Sequence, residues 1–158
     1  MTAAVPRVGS QAPDFIARSQ HGEPFRLSEY HGRRAVVLVF YPYAFSRVCT
    51  SELGALRDRP DLLAGAEIVA ISCDPMFTLR AYAESERLEF ALLSDFWPHG
   101  AIASQYGVFD AERGCAGRGT FVVDQAGIVR WSVVNPFGEA RNPDDYAEAL
   151  ASLGPGLG

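Results

Sequence analysis

Apolar residues are grouped along this chain in short runs broken by proline, glycine and acidic pairs. Residues 35–41 (AVVLVFY) form the longest run and end at Pro42. A continuous β-branched run of that length suits a strand buried on both faces, and therefore a central one. Residues 67–73 repeat the pattern and 90–93 give a shorter strand. Residues 120–123 and 128–134 are β-branched runs joined by Asp124-Gln125-Ala126-Gly127, a glycine-containing hairpin loop. Between these runs the period changes. Over 46–58, Leu53 and Leu56 fall among good helix formers ahead of Pro60, so a helix begins near Ser46 and carries Cys49 in its first turn. Phe77, Leu79, Tyr82 and Ala83 follow the turn pair Asp74-Pro75 and predict a helix over 75–88; a short helix over 98–106 ends at Gly107, and a last one spans 143–153. Residues 9–15 and 21–27 set turn formers beside short apolar pieces and read as an N-terminal loop with a hairpin.

Strand-helix-strand-helix, then a hairpin and a closing helix, imply an α/β protein: a central mixed sheet with helices on both faces, in the order of a thioredoxin-like fold. No internal repeat or low-complexity linker interrupts it, so residues 1–158 are expected to form one domain, with 154–158 a frayed tail.

Composition narrows the class. Of 158 residues, 48% are apolar and 21% charged, enough to bury a core. No run approaches the roughly 18 to 20 apolar residues of a spanning helix. Residues 1–11 lack the basic start and apolar middle of a secretory signal, so a cytoplasmic protein without membrane insertion is expected. A net charge of −5 with scattered charges offers no basic face for nucleic acid. Three cysteines, at 49, 73 and 115, are an odd number without short spacing, so neither a disulfide framework nor a zinc ribbon is indicated. His99 beside Trp97 has no second ligand at metal spacing and is read as a capping or packing residue; no metal or cofactor is expected. Phe45, Phe77, Phe96 and Trp97 are read chiefly as core residues, with some available for a subunit contact.

The chemistry gathers where the central strand ends. A free thiol titrates near ~8.5, whereas a helix N-terminus and a nearby cation lower this to roughly 3.5 to 7.5 and favour the nucleophilic thiolate. Cys49 occupies such a place. Helix-head N–H groups stabilise both a sulfur anion and charge developing on an oxygen. Pro42 has no N–H and fixes the loop over the sulfur. Ser46, three residues before Cys49, can accept from the helix start and donate to sulfur or to a bound oxygen. Arg118, just ahead of the strand at 120–123, supplies a permanent cation with a forked donor set. Glu52, one turn beyond Cys49, is placed to hold that guanidinium.

Pro42-x-x-x-Ser46-x-x-Cys49 resembles the peroxiredoxin motif Pro-x-x-x-Thr/Ser-x-x-Cys, and residues 9–15 resemble that family's Ala-Pro-Asp-Phe segment. Leu93-Ser94-Asp95-Phe96-Trp97-Pro98-His99-Gly100, Tyr106-Gly107-Val108-Phe109 and Arg118-Gly119-Thr120-Phe121 are most similar to the one-cysteine alkyl hydroperoxide reductase E group. The resemblance covers nearly the whole chain. It implies a thioredoxin-like fold, attack of the Cys49 sulfur on a hydroperoxide, a sulfenic acid product, and roles for Pro42, Ser46, Cys49 and Arg118 with Glu52 in support. It also implies a homodimer formed by loops around the active site. Ser46 departs from the commoner Thr and lacks the methyl that restricts the hydroxyl rotamer.

Turnover requires a second thiol. Gly54 stands five residues after Cys49, where some peroxiredoxins carry a resolving cysteine, and no cysteine lies near the C-terminus. Cys73 ends an apolar strand. Cys115, in the mobile-looking stretch 112–117, is the internal candidate for a resolving thiol, provided its Cα comes within ~7 Å of that of Cys49. The favoured reading is a one-cysteine enzyme reduced by an external thiol: mycothiol with a mycoredoxin, thioredoxin, or a glutaredoxin-like donor. The substrate is hydrogen peroxide, an organic hydroperoxide or peroxynitrite. Two alternatives share the fold, a redox sensor and a thiol-disulfide oxidoreductase; the latter would want Cys where Ser46 stands.

Overall fold

The computed structural model describes residues 3–59 and 65–153; the tail read at 154–158 lies outside them. Nine strands and four α-helices follow in the order β1 (Ile16–Ser19), β2 (Pro24–Arg26), β3 (Ala35–Phe40), α1 (Arg47–Asp58), β4 (Ala66–Ser72), α2 (Met76–Glu86), β5 (Ala91–Ser94), α3 (Ala101–Gln105), β6 (Phe109–Asp110), β7 (Cys115–Ala116), β8 (Arg118–Val123), β9 (Val129–Asn135) and α4 (Pro143–Ala151). Seven strands make one mixed sheet in the order β2-β1-β5-β4-β3-β8-β9, and β6 pairs with β7 alone. Strand β3 runs parallel to β4, and β4 to β5; β8 returns antiparallel on the other side of β3, with Val39 opposite Thr120.

All six residues of β3 are buried, as its unbroken apolar run requires. Because side chains alternate across a strand, Val36, Leu38 and Phe40 enter one core while Val37 and Val39 enter the other. The first core is filled by Phe40, Tyr106 and Phe121, whose ring centroids lie 5.1 to 5.9 Å apart, and by Phe15 and Phe25 from the N-terminal segment. The Tyr106 hydroxyl donates to the Pro13 carbonyl at 2.6 Å and ties that segment down. The second core packs α1, α2 and α4 against the sheet through Leu53, Leu56, Leu79, Tyr82 and Tyr146. Helix α4 is capped as its sequence dictates, with the Asn142 side chain accepting from Asp144 N at 3.0 Å and Pro143 in the first turn.

Several expectations are corrected. Arg118 does not precede its strand; it is the first residue of β8. The stretch 112–117 is not a free loop: Gly114 turns at φ 70, Asp110 pairs with Cys115, and Gly117 N donates to the Val108 carbonyl at 2.7 Å. Phe45, Phe77, Phe96 and Trp97 are exposed rather than core, Trp97 by 83%. They stand in loops and first turns beyond the ends of the strands, where sheet alternation does not direct side chains inward. Short helix α3 spans fewer residues than the 98–106 reading because the turn at 95–100 is closed by Asp95.

Asp95 is buried, and its two carboxylate oxygens accept from Ile102 N at 2.9 Å and Ala103 N at 2.8 Å. Burial pushes its carboxyl up to about 6, while those two N–H groups and His99 pull the other way. The folded value lies above the ordinary carboxyl value of 3.8, so between the two the folded protein holds a proton that the unfolded chain has released. Its contribution is complete at low pH and is lost as pH rises from about 4 to about 6. Denaturant unfolding of wild type and Asp95→Asn across that window should show wild type losing stability relative to the variant; parallel profiles would contradict this.

Candidate active site

The site is built where β3 delivers the chain to α1. Tyr41 N donates to the Ile71 carbonyl at 3.0 Å, extending the pairing with β4 by one residue, and Pro42 is buried next to it. Ser46 is the N-cap of α1 and Cys49 the third residue of the helix, fully buried. The helical ladder opens with Thr50 N on the Ser46 carbonyl at 2.9 Å, which leaves the N–H groups of the first turn outside it and directed at the helix head. Ser46 does not cap with its side chain, contrary to the sequence expectation. Its hydroxyl is buried and without a hydrogen-bond partner. A buried hydroxyl left unpaired costs about 1–3 kcal/mol, and a bound peroxide oxygen is a group that would satisfy it.

Glu52 lies one turn beyond Cys49, inside the protein. Its Oε1 receives the Arg118 Nη1 in a short ion pair and the Arg141 Nη2 at 2.9 Å; its Oε2 receives Arg141 N and Nε, both at 2.7 Å. Arg118 also donates from Nε to the Phe137 carbonyl at 2.6 Å. Arg141 reaches the Gly119 carbonyl at 3.0 Å and Thr120 Oγ1 at 3.1 Å through Nη1. The three side chains are at most 3% exposed. Two guanidinium groups and one carboxylate leave a surplus of one positive charge buried against α1, one helix turn beyond Cys49. Pro42, Ser46, Cys49 and Glu52 follow one another along one loop and the first turns of α1, and Arg118 of β8 is tied to them through Glu52. Arg141 is the residue that sequence reading missed. It lies alone between Ala140 and Asn142-Pro143, ahead of a helix, and no spacing relates it to Glu52.

The other thiols differ. Burial pushes the Cys73 thiol up to about 12, with nearby Asp95 adding to it. Burial also raises Cys115, against a hydrogen bond from the Tyr43 hydroxyl that lowers it. Cys115 is buried in β7, so the mobile loop expected of a resolving thiol is absent there. His99 has a packing and bridging place, its ring nitrogens facing the Phe96 and Gly114 carbonyls at 3.1 and 2.7 Å. Among the described residues no group of His, Cys, Asp or Glu is arranged to hold a metal ion, and no helix is long and apolar enough to cross a membrane.

Fold and site together define a thioredoxin-like α/β protein with a thiol in the first turn of a helix whose next turn carries a buried Arg-Glu-Arg cluster. Residues 8–132 match the model of the AhpC/TSA family. Alkyl hydroperoxide reductase E of Mycobacterium tuberculosis is 43% identical over 148 residues, covering 92% of this chain and 97% of that protein. A chloroplastic 2-Cys peroxiredoxin of Hordeum vulgare is 34% identical over 161 residues, covering 94% and 76%. Among solved structures, peroxidoxin BcpB from Mycobacterium tuberculosis superposes with a TM-score of 0.80 at 34% identity, covering 94% of this chain and 96% of that one. The reduced 2-Cys peroxiredoxin of Plasmodium vivax gives 0.85 at 26%, covering 92% and 81%. The chain belongs to the AhpC/TSA family of peroxiredoxins. It is a thiol-dependent peroxidase, acting on a hydroperoxide and drawing electrons from a thiol reductant.

Replacing Arg141 by Met leaves Glu52 with one cation and strips the Gly119 carbonyl and Thr120 hydroxyl of theirs. Breaking a buried ion pair from one side costs about 3–5 kcal/mol, and denaturant unfolding should show a loss of that order. Arg141→Lys should recover only part of it, because an ammonium lacks the planar fork that spans both Glu52 oxygens. A loss under about 1 kcal/mol, as for an exposed pair, would contradict the assignment.

Proposed function

We propose that the peroxidase reaction is carried by Cys49, with Arg118, Ser46 and Pro42 as its partners, Glu52 as their support, and the chain acting as one domain. The observation that carries this reading is the unpartnered, buried Ser46 hydroxyl one helix turn from the fully buried Cys49. The Cys49 sulfur, as thiolate, attacks one peroxide oxygen in line with the O–O bond. The S–O bond forms as the O–O bond breaks, sulfur is oxidised to sulfenate, and the departing alkoxide or hydroxide takes a proton to leave as alcohol or water. Arg118 and the helix-head N–H groups stabilise the charge moving onto oxygen, and the Ser46 hydroxyl donates to the peroxide. Pro42 offers no competing donor. Exposed Tyr43 and Phe45 flank the site with apolar surface, which suits organic hydroperoxides as well as hydrogen peroxide and peroxynitrite.

An external thiol then attacks the sulfenic sulfur, releasing water and leaving a mixed disulfide that a second thiol reduces. Mycothiol with a mycoredoxin, thioredoxin, or a glutaredoxin-like protein fits that role, in the cytoplasm. The raised thiols of Cys73 and Cys115 favour this route over an internal disulfide. A homodimer is part of the reading. Phe77, Phe96 and Trp97 are exposed around a groove of about 860 Å³ that also takes in Ile16, Met76 and Ile102, and a second copy of the chain would cover that apolar surface.

Reduced protein mixed with about one equivalent of hydroperoxide, followed by peroxide loss and mass mapping of the cysteines, tests the assignment. Fast loss abolished by Cys49→Ser, with sulfenic acid on Cys49 and no effect of Cys115→Ser, is the expected result. A Cys49–Cys115 disulfide would overturn the recycling route, and undiminished loss in Cys49→Ser would overturn the sulfur assignment.

A further inference from the structure

Residues 41–46 cross from β3 to the head of α1, whose first turn holds the fully buried Cys49. Within that loop Phe45 sits at φ 69, a left-handed conformation that a bulky residue adopts only at a cost. Its half-exposed ring leans on Tyr82, with centroids 4.9 Å apart, and the Tyr82 hydroxyl meets Thr50 Oγ1 at 3.0 Å. A strained conformation persists where its surroundings over-determine it: the Tyr43 hydroxyl donates to the Arg113 carbonyl at 3.2 Å and Ser46 N to the Tyr43 carbonyl at 3.4 Å, and the carboxylate that holds the loop next to Phe45 is Asp74. Its Oδ2 accepts Ala44 N–H at 2.8 Å and the Ser72 hydroxyl at 2.7 Å. Asp74 is itself fixed at the ends of two parallel strands: its N–H donates to Ser72 Oγ at 3.3 Å, and its carbonyl accepts the Ser94 hydroxyl at 2.7 Å. Ser72 ends β4 and Ser94 ends β5, so the anchor stands on the frame of the sheet.

The two halves of the catalytic cycle place opposite demands on this loop. A small peroxide can react inside a closed site, where the Ser46 hydroxyl and the helix head are aligned. A thiol reductant has to bring its sulfur into line behind the S–O bond of a residue that is fully buried in the closed site, so the loop must lift.

We propose that Asp74 is a positioning residue for the peroxidase reaction, clamping the strained loop 41–46 over Cys49 through the Ala44 N–H and so setting the balance between the closed, peroxide-reactive site and the open, thiol-accessible one. This rests on Cys49 being the attacking sulfur. Removing the carboxylate moves the two steps in opposite directions; a general loss of stability would also expose Cys49, so denaturant unfolding of each variant accompanies the rates, and the clamp requires the two rates to diverge without a matching fall in global stability. The Asn side chain retains an oxygen for the Ala44 N–H and restores the clamp.

The test compares wild type, Asp74→Ala, Asp74→Asn and Ser72→Ala. Cys49 oxidation by hydrogen peroxide is timed by stopped flow, and modification of Cys49 by a bulky aromatic disulfide is timed by mass spectrometry, with Cys49→Ser as control. Asp74→Ala should slow oxidation about tenfold or more, since small misplacements of reacting groups cost this much, while speeding modification by the bulky reagent. Asp74→Asn should recover most of both rates. Ser72→Ala, which removes the hydroxyl steadying the carboxylate, should move both rates in the same senses by smaller factors, and it carries the test if Asp74→Ala fails to fold. Unchanged rates, or two rates that fall together, would overturn the clamp. Peroxide consumption by wild type with Cys49 left reduced would overturn the sulfur assignment, and the clamp with it.

Discussion

Glu52 holds two guanidinium groups in a space from which water is excluded, and the rest of the site is arranged around that arrangement. Desolvating three charges costs several kcal/mol per ion and is offset only when geometry and hydrogen bonding are both good. Here each carboxylate oxygen accepts at least two donors, and the guanidiniums spend further N–H groups on the carbonyls of Gly119 and Phe137 and on Thr120. Glu52 belongs to α1, Arg118 to β8, and Arg141 to the connection before α4. One cluster therefore ties the first strand-helix unit to the returning hairpin and to the last helix. The surplus positive charge falls against the helix that carries Cys49, one turn beyond that residue.

The sheet register makes this possible. Strand β3 is buried on both faces and sits between β4 and β8, so the segment leaving its C-terminal end emerges over the strand that begins with Arg118. The two other thiols are raised by the same burial that builds the cores. Cys73 follows β4 and Cys115 lies in β7, and both are held toward the protonated form.

What the sequence disclosed follows the range of the interactions involved. The unbroken run at 35–41, the helix head at Ser46 and the turn from Cys49 to Glu52 are local, and each was legible. The family resemblance supplied the pairing of Arg118 with that helix. Arg141 was not legible, because its partner is 89 positions away and the approach depends on the path of residues 136–142. The β6–β7 pairing and the burial of Cys115 were missed for a similar reason: two-residue strands carry no periodicity, and Gly114 with neighbouring polar residues reads as a loop. Phe45, Phe96 and Trp97 were assigned inward on hydrophobicity, yet they stand in loops past the strand ends, where no periodicity directs them, and Phe77 falls in the first turn of α2 on the side away from its buried Leu79, Tyr82 and Ala83.

The central claim is that the buried Arg118 cation, held by Glu52, stabilises the charge that moves between the Cys49 sulfur and the peroxide. Stopped-flow measurement of the second-order rate of Cys49 oxidation in Arg118→Gln, with the fold verified by circular dichroism, tests it most directly. Losing one preorganised donor from a water-excluded site predicts a fall of about a hundredfold or more. A folded Arg118→Gln protein that reacts with hydroperoxide as fast as wild type would contradict the account.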